Sequence, residues 1–230
     1  MSKKIRVIIP AYNEELSITK VINDIPEIVN EIIVIDNNSN DFTSKKAKDA
    51  GATVIQENRQ GYGYACLKGL EYICGNNETT DIVVFLDGDY SDYPEELIKI
   101  IKPIVNRDID FVLGSRIKSL REVGAMLPQQ IFGNWLATRL MKLFFNANYT
   151  DLGPFRAIKF KKLIALNMED KTYGWTIEMQ LKALKHNLSY EEIPVKYKNR
   201  IGKSKVSGTI KGSILAGVKI LGWIFKYSFK

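Results

Sequence analysis

Asp81-Ile82-Val83-Val84-Phe85-Leu86-Asp87-Gly88-Asp89 is an apolar run that ends at two closely spaced carboxylates, and it decides the fold class of this chain. An apolar run of this length, bounded by turn residues, is typical of a strand buried on both faces. In open parallel sheets, ligands bind just beyond the carboxyl ends of such strands. The stretch therefore predicts a buried parallel strand that ends at a polar site.

Similar apolar runs lie on both sides of this strand and alternate with amphipathic stretches. The pattern predicts strands at 5–10, 31–36, 52–55 and 110–114, with helices at 14–29, 43–50, about 63–73 and 94–105. After residue 116 the alternation stops, and we expect a mobile loop at 117–128, an apolar helix at 131–145 and a strand near 192–195. Together these elements predict an α/β fold, a Rossmann-like, mostly parallel sheet with helices on both faces.

The composition is that of a globular protein with a basic surface. The chain has 230 residues, of which 45% are hydrophobic and 26% charged, and its net charge is +7. Such a charge suits nucleic acid, anionic lipid or phosphorylated small molecules as partners. The cations concentrate near the tail and in residues 196–205, and no recognisable nucleic-acid motif is present, so we do not expect a nucleic-acid partner.

Polar residues follow several of the predicted strands, and the sharpest cluster is Asp87-Gly88-Asp89. Two carboxylates around a glycine can approach one hard cation, because glycine lets the backbone turn and the ligand come close. A magnesium or manganese ion there would bridge the phosphates of a nucleotide. The alternative is that polar residues at strand ends are only caps and turns, which we expect for Ser39, Asp41 and Ser91.

Three motifs occur in an order that resembles family 2 glycosyltransferases of the GT-A fold. They are VIIPAYNEE at 7–15, IVIDNNSND at 33–41 and FLDGD at 85–89. The similarity continues through 114–116 and 153–156 to the basic loop at 200–205, and covers nearly the whole chain. Within the family, the chain looks like the dolichyl-phosphate mannose or glucose synthase branch. The resemblance implies metal-dependent, inverting transfer of a sugar from a UDP- or GDP-sugar to a polyprenyl phosphate.

The resemblance also implies roles for particular residues. Asp87 would contact ribose or metal, and Asp89 would be the main metal ligand. Arg116 corresponds to a basic position near the donor or acceptor phosphates. The base and ribose would be cradled by Pro10, Ala11, Tyr12, Glu14 and Asp36. Three cations, Arg200, Lys203 and Lys205, would belong to a flexible loop that closes over the diphosphate, although a solvated basic turn is the alternative reading.

The acceptor determines whether a catalytic base is needed. A hydroxyl acceptor must lose a proton, usually to a positioned carboxylate, and Glu178 and Asp151 are the candidates. Each of them could equally cap a helix or support other site residues. A phosphate monoester is already mostly ionised at neutral pH, because its second pKa is about 6, and then requires cations for positioning. A saccharide or other hydroxyl acceptor, in polysaccharide or glycoconjugate synthesis, therefore remains the alternative to a polyprenyl phosphate.

The carboxyl-terminal stretch predicts an amphipathic helix, which divides the chain into a glycosyltransferase domain at 1–205 and a helix at 206–230. At about 100° per residue, the lysines share one sector and the apolar residues the other. The lysines are Lys211, Lys219, Lys226 and Lys230, and the apolar residues are Ile214, Val218, Ile220, Leu221, Ile224 and Phe225. This arrangement favours a helix in an anionic membrane interface. The alternative is a helix packed on its own domain or on a second subunit of a homo-oligomer.

The first residues run directly into a strand, without the long apolar segment and cleavage site of a secretory signal. No apolar run approaches the roughly 18 residues expected of a membrane span. We therefore expect a cytoplasmic protein that lies peripherally on the inner face of the membrane.

Overall fold

The structure is a computed structural model that describes residues 3–76, 78–202 and 210–228. Its strands are β1 (Ile5–Ala11), β2 (Glu31–Asp36), β3 (Thr53–Gln56), β4 (Ile82–Phe85), β5 (Phe111–Ser115), β6 (Arg156–Lys159) and β7 (Tyr190–Pro194). Its helices are α1 (Ile18–Asn23), α2 (Thr43–Asp49), α3 (Tyr62–Gly75), α4 (Leu97–Arg107), α5 (Pro128–Phe145), α6 (Phe160–Ala165), α7 (Trp175–Lys185) and α8 (Ile210–Ser228). Among the described residues, no helix combines the length and the apolar character needed to cross a membrane.

The strands form a single sheet in the order β3-β2-β1-β4-β6-β5-β7. β6 runs antiparallel to both of its neighbours, and the other adjacent strands are parallel. Successive residues of a strand point to opposite faces, and in β1 Ile8 joins one apolar core while Val7 and Ile9 join the other. This confirms the predicted α/β fold, because both faces of a mostly parallel sheet are covered.

Two predicted helices differ from those observed. The helix predicted at 14–29 is limited to α1, since the residue before Pro26 is disfavoured from helical geometry and the chain turns there. The helix predicted from Pro94 begins with a 3-10 turn, Pro94–Glu96, and becomes α-helical at Leu97. Residues 117–128, expected as a loop, contain one 3-10 turn (Lys118–Leu120), and the Glu122 amide donates to the Tyr197 carbonyl at 2.8 Å.

Helix α8 packs against α5 and α7. Trp223 and Ile224 are buried in this contact. Lys219 Nζ lies 3.1 Å from Asp170 Oδ2, and Lys226 Nζ lies 3.5 Å from Glu169 Oε2. The helix therefore rests on its own domain, as the alternative reading allowed, with two lysines of the predicted basic stripe facing carboxylates. Lys230 and the side chain of Lys211 lie outside the described part of the chain.

Candidate functional site

The carboxyl ends of β1, β2 and β4 border a cavity of about 480 Å³. The structure brings seven of the predicted site residues to its wall, namely Pro10, Ala11, Tyr12, Glu14, Asp87, Asp89 and Arg200. It adds residues that the sequence did not single out, namely Asn37, Gln60, Gly61, Tyr62, Thr172 and Tyr173. The cavity lies where the parallel strands of an open sheet end, as expected for a ligand site.

The loops after β1 and β2 are fixed to each other by asparagines. Asn13 and Asn38 have φ of 54° and 65°, left-handed conformations that asparagine tolerates better than most residues. The Asn13 amide donates to Ser39 Oγ at 2.9 Å, and the Asn40 amide donates to Asn13 Oδ1 at 2.8 Å. These hydrogen bonds hold the loop that carries Tyr12 beside the loop that carries Asn37.

Asp87 and Asp89 lie at the end of β4, and each has defined partners. Tyr62 donates its hydroxyl to Asp87 Oδ1 at 3.0 Å. Ser91 donates its amide and its hydroxyl to Asp89 Oδ1, at 2.9 and 2.6 Å. Arg200 Nη1 lies 2.8 Å from Asp89 Oδ2. The basic loop is thus already in contact with the acidic motif in the described part of the chain.

The turn after β4 falls at Tyr90, two residues after the glycine at which the sequence predicts it. Tyr90 has φ of 61°, whereas Gly88 is absent from the positive-φ residues that the structure describes. A Cβ on Gly88 would meet Ala11 Cβ at 3.6 Å and the Pro10 carbonyl oxygen at 3.5 Å, which is ordinary contact. A Cβ at position 88 would therefore be accommodated, and the glycine is not needed for the turn.

The two carboxylates are electrostatically coupled. Burial, and then the charge of Asp89, raise the pKa of Asp87 to about 7, against the opposing effects of Arg200 and Tyr62. Burial lowers the pKa of Arg200, but the charges of Asp89, Asp87 and their neighbours together outweigh it, so the net pKa is raised. Two buried carboxylates of this kind are stabilised by any further positive charge that enters the cavity.

The segment that carries Thr172 and Tyr173 packs directly on the first turn of α3. The Gly63 amide donates to the Thr172 carbonyl at 3.2 Å, and the Tyr64 amide donates to the Lys171 carbonyl at 3.1 Å. A Cβ on Gly63 would lie only 2.0 Å from the Asp170 carbonyl oxygen. Only glycine permits this approach, which holds the segment beside Tyr62 and the cavity.

Asp170 joins this segment to α8. Its Oδ1 accepts the amides of Thr172 and Gly174, at 2.8 and 2.9 Å. Its Oδ2 accepts the indole N–H of Trp223 at 2.7 Å and pairs with Lys219. The carboxylate is buried, so these bonds are shielded from water. Hydrogen bonds and an ion pair of Asp170 therefore link α8 to the segment that forms part of the wall of the first cavity.

A second cavity, of about 290 Å³, opens from the first one. The two share Tyr62, Asp87, Tyr173 and Arg200. Arg116 also lines the second cavity, together with residues of α5 and α8, among them Gly133, Asn134, Ala216, Gly217 and Ile220. A Cβ on Gly133 or Gly217 would meet no atom within 4 Å, so small residues leave the space between the two helices open.

Comparison with known proteins identifies the family. Residues 6–166 match the family described as Glycosyl transferase family 2. The chain belongs to this family. An uncharacterized glycosyltransferase of Mycobacterium tuberculosis is 31% identical over 215 residues, which cover 92% of this chain and 94% of that protein. UDP-N-acetylglucosamine–dolichyl-phosphate N-acetylglucosaminyltransferase of Methanococcus voltae is 30% identical over 218 residues, covering 84% of this chain and 85% of that protein.

A solved structure has the same fold as this glycosyltransferase. Glucosyl-3-phosphoglycerate synthase of Mycobacterium tuberculosis, in complex with Mn²⁺, UDP and glucosyl-3-phosphoglycerate, matches it with a TM-score of 0.78 and 21% sequence identity. The match covers 99% of this chain and 80% of that one. The same enzyme has also been solved with Mg²⁺ and UDP. The likeness confirms the predicted GT-A fold.

Arg116 of the glycosyltransferase is held by one of the two carboxylates predicted as bases. Its amide and Nε donate to Asp151 Oδ2, both at 2.8 Å, and its Nη2 donates to Oδ1 at 2.6 Å. Burial raises the pKa of Asp151, but the Arg116 guanidinium outweighs this and the net pKa is lowered. This pairing disfavours Asp151 as a general base, because a carboxylate paired with arginine accepts a proton poorly.

Glu178, the other predicted base, is fully buried in α7. Its two oxygens accept the amides of Glu169 and Asp170, each at 2.8 Å, and Oε1 lies 2.8 Å from Lys182 Nζ. It is not among the residues that line either cavity. These contacts disfavour Glu178 as a base, because its carboxylate is occupied in positioning the segment that carries Thr172.

Asp36, predicted to contact the nucleotide, is not among the residues that line the first cavity. It accepts hydrogen bonds from Ser39, Ser44 and Gln56, and the wall of the first cavity is formed by the next residue, Asn37. Asn37 donates to the Arg59 carbonyl at 2.7 Å and accepts the Gly61 amide at 2.7 Å. Asp36 thus stabilises the loop after β2, while Asn37, although mostly buried, borders the first cavity.

Lys203 and Lys205, predicted in the basic loop, lie outside the described residues. The described part of that loop is bound to the acidic motif, since the Ile201 amide donates to the Asp89 carbonyl at 2.9 Å. Its Lys198 amide likewise donates to the Ser91 carbonyl at 2.9 Å. These bonds place Arg200 in the cavity independently of the two lysines.

Proposed function

We propose that this glycosyltransferase moves a hexose-type sugar from a UDP- or GDP-sugar to a polyprenyl phosphate at the cytoplasmic face of a membrane, with inversion at the anomeric carbon. The first cavity would hold the nucleotide, and the second would hold the acceptor. This assignment places the enzyme in the dolichyl-phosphate mannose or glucose synthase branch, and the relative from Methanococcus voltae, named for a dolichyl-phosphate acceptor, supports it.

The second cavity carries the proposal. It meets the first cavity at Asp87 and Arg200, and it extends between α5 and α8. There it is lined by the small or apolar residues Gly133, Ala216, Gly217 and Ile220 and by the amide side chains Gln129, Gln130 and Asn134. Arg116 contributes a positive charge to it. A phosphate attached to an apolar chain matches this combination, because the charge would lie beside the arginines and the chain would follow the two helices.

The contacts of the two carboxylates predicted as bases also favour a phosphate acceptor. Asp151 is paired with Arg116, and Glu178 is buried away from both cavities. A sugar hydroxyl would need a carboxylate to remove its proton, whereas a phosphate monoester is already largely ionised at neutral pH. Positioning by cations is then sufficient for attack.

In the proposed reaction, an oxygen of the acceptor phosphate forms a bond to the anomeric carbon while the bond from that carbon to the nucleotide diphosphate breaks. Arg116 would attract and orient the acceptor phosphate from within the second cavity. Arg200 lies at the junction of the two cavities, where its charge would stabilise the diphosphate as it departs. Tyr12, Asn37 and Tyr173 would enclose the nucleotide and exclude water from it.

Asp87 and Asp89 fit a divalent cation. Among the described residues, no group of three or more histidine, cysteine or acidic side chains is arranged to hold a metal, so the remaining ligands would be phosphate oxygens and water. One or two carboxylates completed by substrate phosphates are the usual protein site for Mg²⁺. A bound Mg²⁺ or Mn²⁺ would supply positive charge beside the departing diphosphate.

Binding of Mn²⁺ to this site is expected to strengthen as the pH rises through about 7. The pKa of Asp87 is raised to about 7, so its carboxylate is protonated below that pH and must lose the proton to bind a cation. Below pH 7, affinity should fall by up to about tenfold per pH unit. Calorimetric titration in buffers of different ionisation enthalpy would measure both the affinity and the proton release. A pH-independent affinity between about pH 6 and 8 would contradict the assignment.

The outward sides of α5 and α8 suit a membrane surface. Phe144 and Phe225 contact each other at a centroid distance of 5.9 Å, so the two helices form one continuous surface. We call it the α5/α8 apolar face, and its exposed members are Phe132, Trp135, Leu143, Phe144, Ile214, Leu215, Val218 and Phe225. A contiguous exposed apolar surface is a common mark of a membrane or protein contact. The second cavity is lined by the same two helices, which would give a lipid acceptor a direct route to it.

A donor screen tests the proposed function. Purified protein, with Mn²⁺ or Mg²⁺, would be given each nucleotide sugar and either a polyprenyl phosphate or no acceptor. We expect release of nucleotide diphosphate that requires the lipid phosphate, from one preferred donor. Donor binding with release only upon addition of a saccharide would favour the hydroxyl acceptor instead. Failure to bind any nucleotide sugar would exclude the proposed donor site.

A further inference from the structure

A third cavity, of about 580 Å³, lies on the side of α5 away from α8. It is bounded by the segment after β5, by α5 and by residues 147–151. Five cationic side chains line it, namely Arg116, which is paired with Asp151, and the four residues Lys118, Arg121, Arg139 and Lys142. Neither the proposed sugar transfer nor the two cavities described above uses any of these four.

The charge of these four residues is not neutralised by the part of the chain that the structure describes. Arg121 donates to Met126 Sδ, and none of the four forms an ion pair with a described carboxylate. The carboxylate of the cavity wall, Asp151, is engaged by Arg116. Arg121 is half-buried, and Lys118, Arg139 and Lys142 are exposed at the mouth of the cavity. Clustered like charges without partners create a positive potential that an anion would relieve.

The cavity adjoins the α5/α8 apolar face. Ile131 and Trp135 line the cavity and are also exposed, Trp135 to 51%. Phe132 and Leu143 stand on the same outer side of α5 as Arg139. An anion bound in the cavity would therefore lie directly beside a surface that favours hydrocarbon. Tryptophan beside cations at such an edge is typical of proteins that rest on anionic bilayers.

We infer that this cavity binds the phosphate headgroup of an anionic membrane phospholipid, held by Arg139 and Lys142 of α5 and by Lys118 and Arg121 of the facing segment. The acyl chains would extend along the α5/α8 apolar face. The inference rests on the membrane placement in the proposed function but does not depend on the sugar, the donor or the acceptor. The site would fix how the enzyme is oriented on the bilayer, with the second cavity facing the lipid.

The test uses the full chain and vesicles, with no donor and no acceptor present. The variant is Arg139→Gln with Lys142→Gln, and the control is Lys45→Gln with Lys48→Gln, two exposed lysines of α2 that give the same change in net charge. Binding to phosphatidylcholine vesicles containing phosphatidylglycerol would be measured by sedimentation. We expect the α5 variant to bind about 25-fold more weakly than the unaltered protein, or about fivefold per cation removed, and the control to stay within about threefold.

Three results would overturn the inference. Equal loss in the two double variants would mean that binding reflects overall charge. Displacement of the protein from vesicles by millimolar inorganic phosphate would indicate a soluble anion as the ligand. A matching loss of sugar transfer by the α5 variant to a short-chain, water-soluble acceptor phosphate would assign the four cations to the acceptor. Vesicle binding is measured without sugar transfer, so the binding result can be interpreted even if the proposed transfer reaction fails.

Discussion

Asp89→Asn is expected to lower kcat/KM for sugar transfer by about 10³-fold, the upper range for loss of one electrostatic group in an active site. The substitution keeps the shape of the side chain, so Ser91 can still donate to one oxygen. It removes the negative charge that pairs with Arg200 at 2.8 Å and that would hold a divalent cation beside the diphosphate. Release of nucleotide diphosphate, measured with a polyprenyl phosphate acceptor at several Mn²⁺ concentrations, is the readout.

The matched control for this substitution is Asp49→Asn at the exposed end of α2, which makes the same chemical change far from both cavities. We expect its kcat/KM to equal that of the unaltered protein. Thermal unfolding of both variants would show whether a loss of rate is a loss of fold. An Asp89→Asn enzyme that kept more than about a tenth of its kcat/KM with unchanged Mn²⁺ dependence would refute the site.

Glu178→Ala is expected to destabilise the protein by about 3 kcal/mol or more, because it leaves Lys182 buried without its nearest carboxylate. It also removes the acceptors of the Glu169 and Asp170 amides. For a chain of this size the melting temperature should fall by about 6 to 12 °C. Glu178 lines neither cavity but positions the segment that carries Thr172, so the transfer rate per folded molecule at low temperature should fall far less than in Asp89→Asn.

A loss of transfer rate without a loss of stability would instead support Glu178 as a base. A large loss of kcat with an unchanged melting temperature, together with loss of the acidic limb of the pH–rate profile, would have no explanation in its buried position. Glu27→Ala, at an exposed position after α1, is the control for removal of a glutamate charge. Glu178→Gln keeps one acceptor oxygen and should therefore lie between the alanine variant and the unaltered protein in stability.

The strands that the sequence predicts well are those whose apolar runs are long and β-branched. β1 and β2 lie within one residue of their predicted ends, because burial on both faces requires continuous apolar residues. β6 could not be predicted in this way, because it is four residues long and begins with Arg156, a buried arginine. Its antiparallel insertion between β4 and β5 depends on contacts between distant segments, which no local pattern records.

Some residues of the candidate site could likewise be predicted from local sequence, and others could not. Residues that follow β1 and β4 directly could be predicted, because their place in the chain fixes their place at the sheet edge. Tyr62 and Tyr173 could not, since they reach the cavity only through the close approach of residues 170–172 to Gly63. The contacts of Glu178 could not be predicted either, because a sequence shows that a carboxylate exists but not which backbone amides surround it. The lysines of α8 were found on one side of the helix, but the carboxylates that face them are about 50 residues away.

The bonds from Asp170 to Trp223 and Lys219 bear on how this enzyme should be prepared for crystallography. Shortening the chain at residue 205, as a way to avoid aggregation, would remove the partners of a buried carboxylate that also holds the amides of Thr172 and Gly174. The first cavity would then lose the support of one wall, and part of the second cavity would be missing. Polar replacements on the outward side of α8 would improve handling while leaving that wall in place.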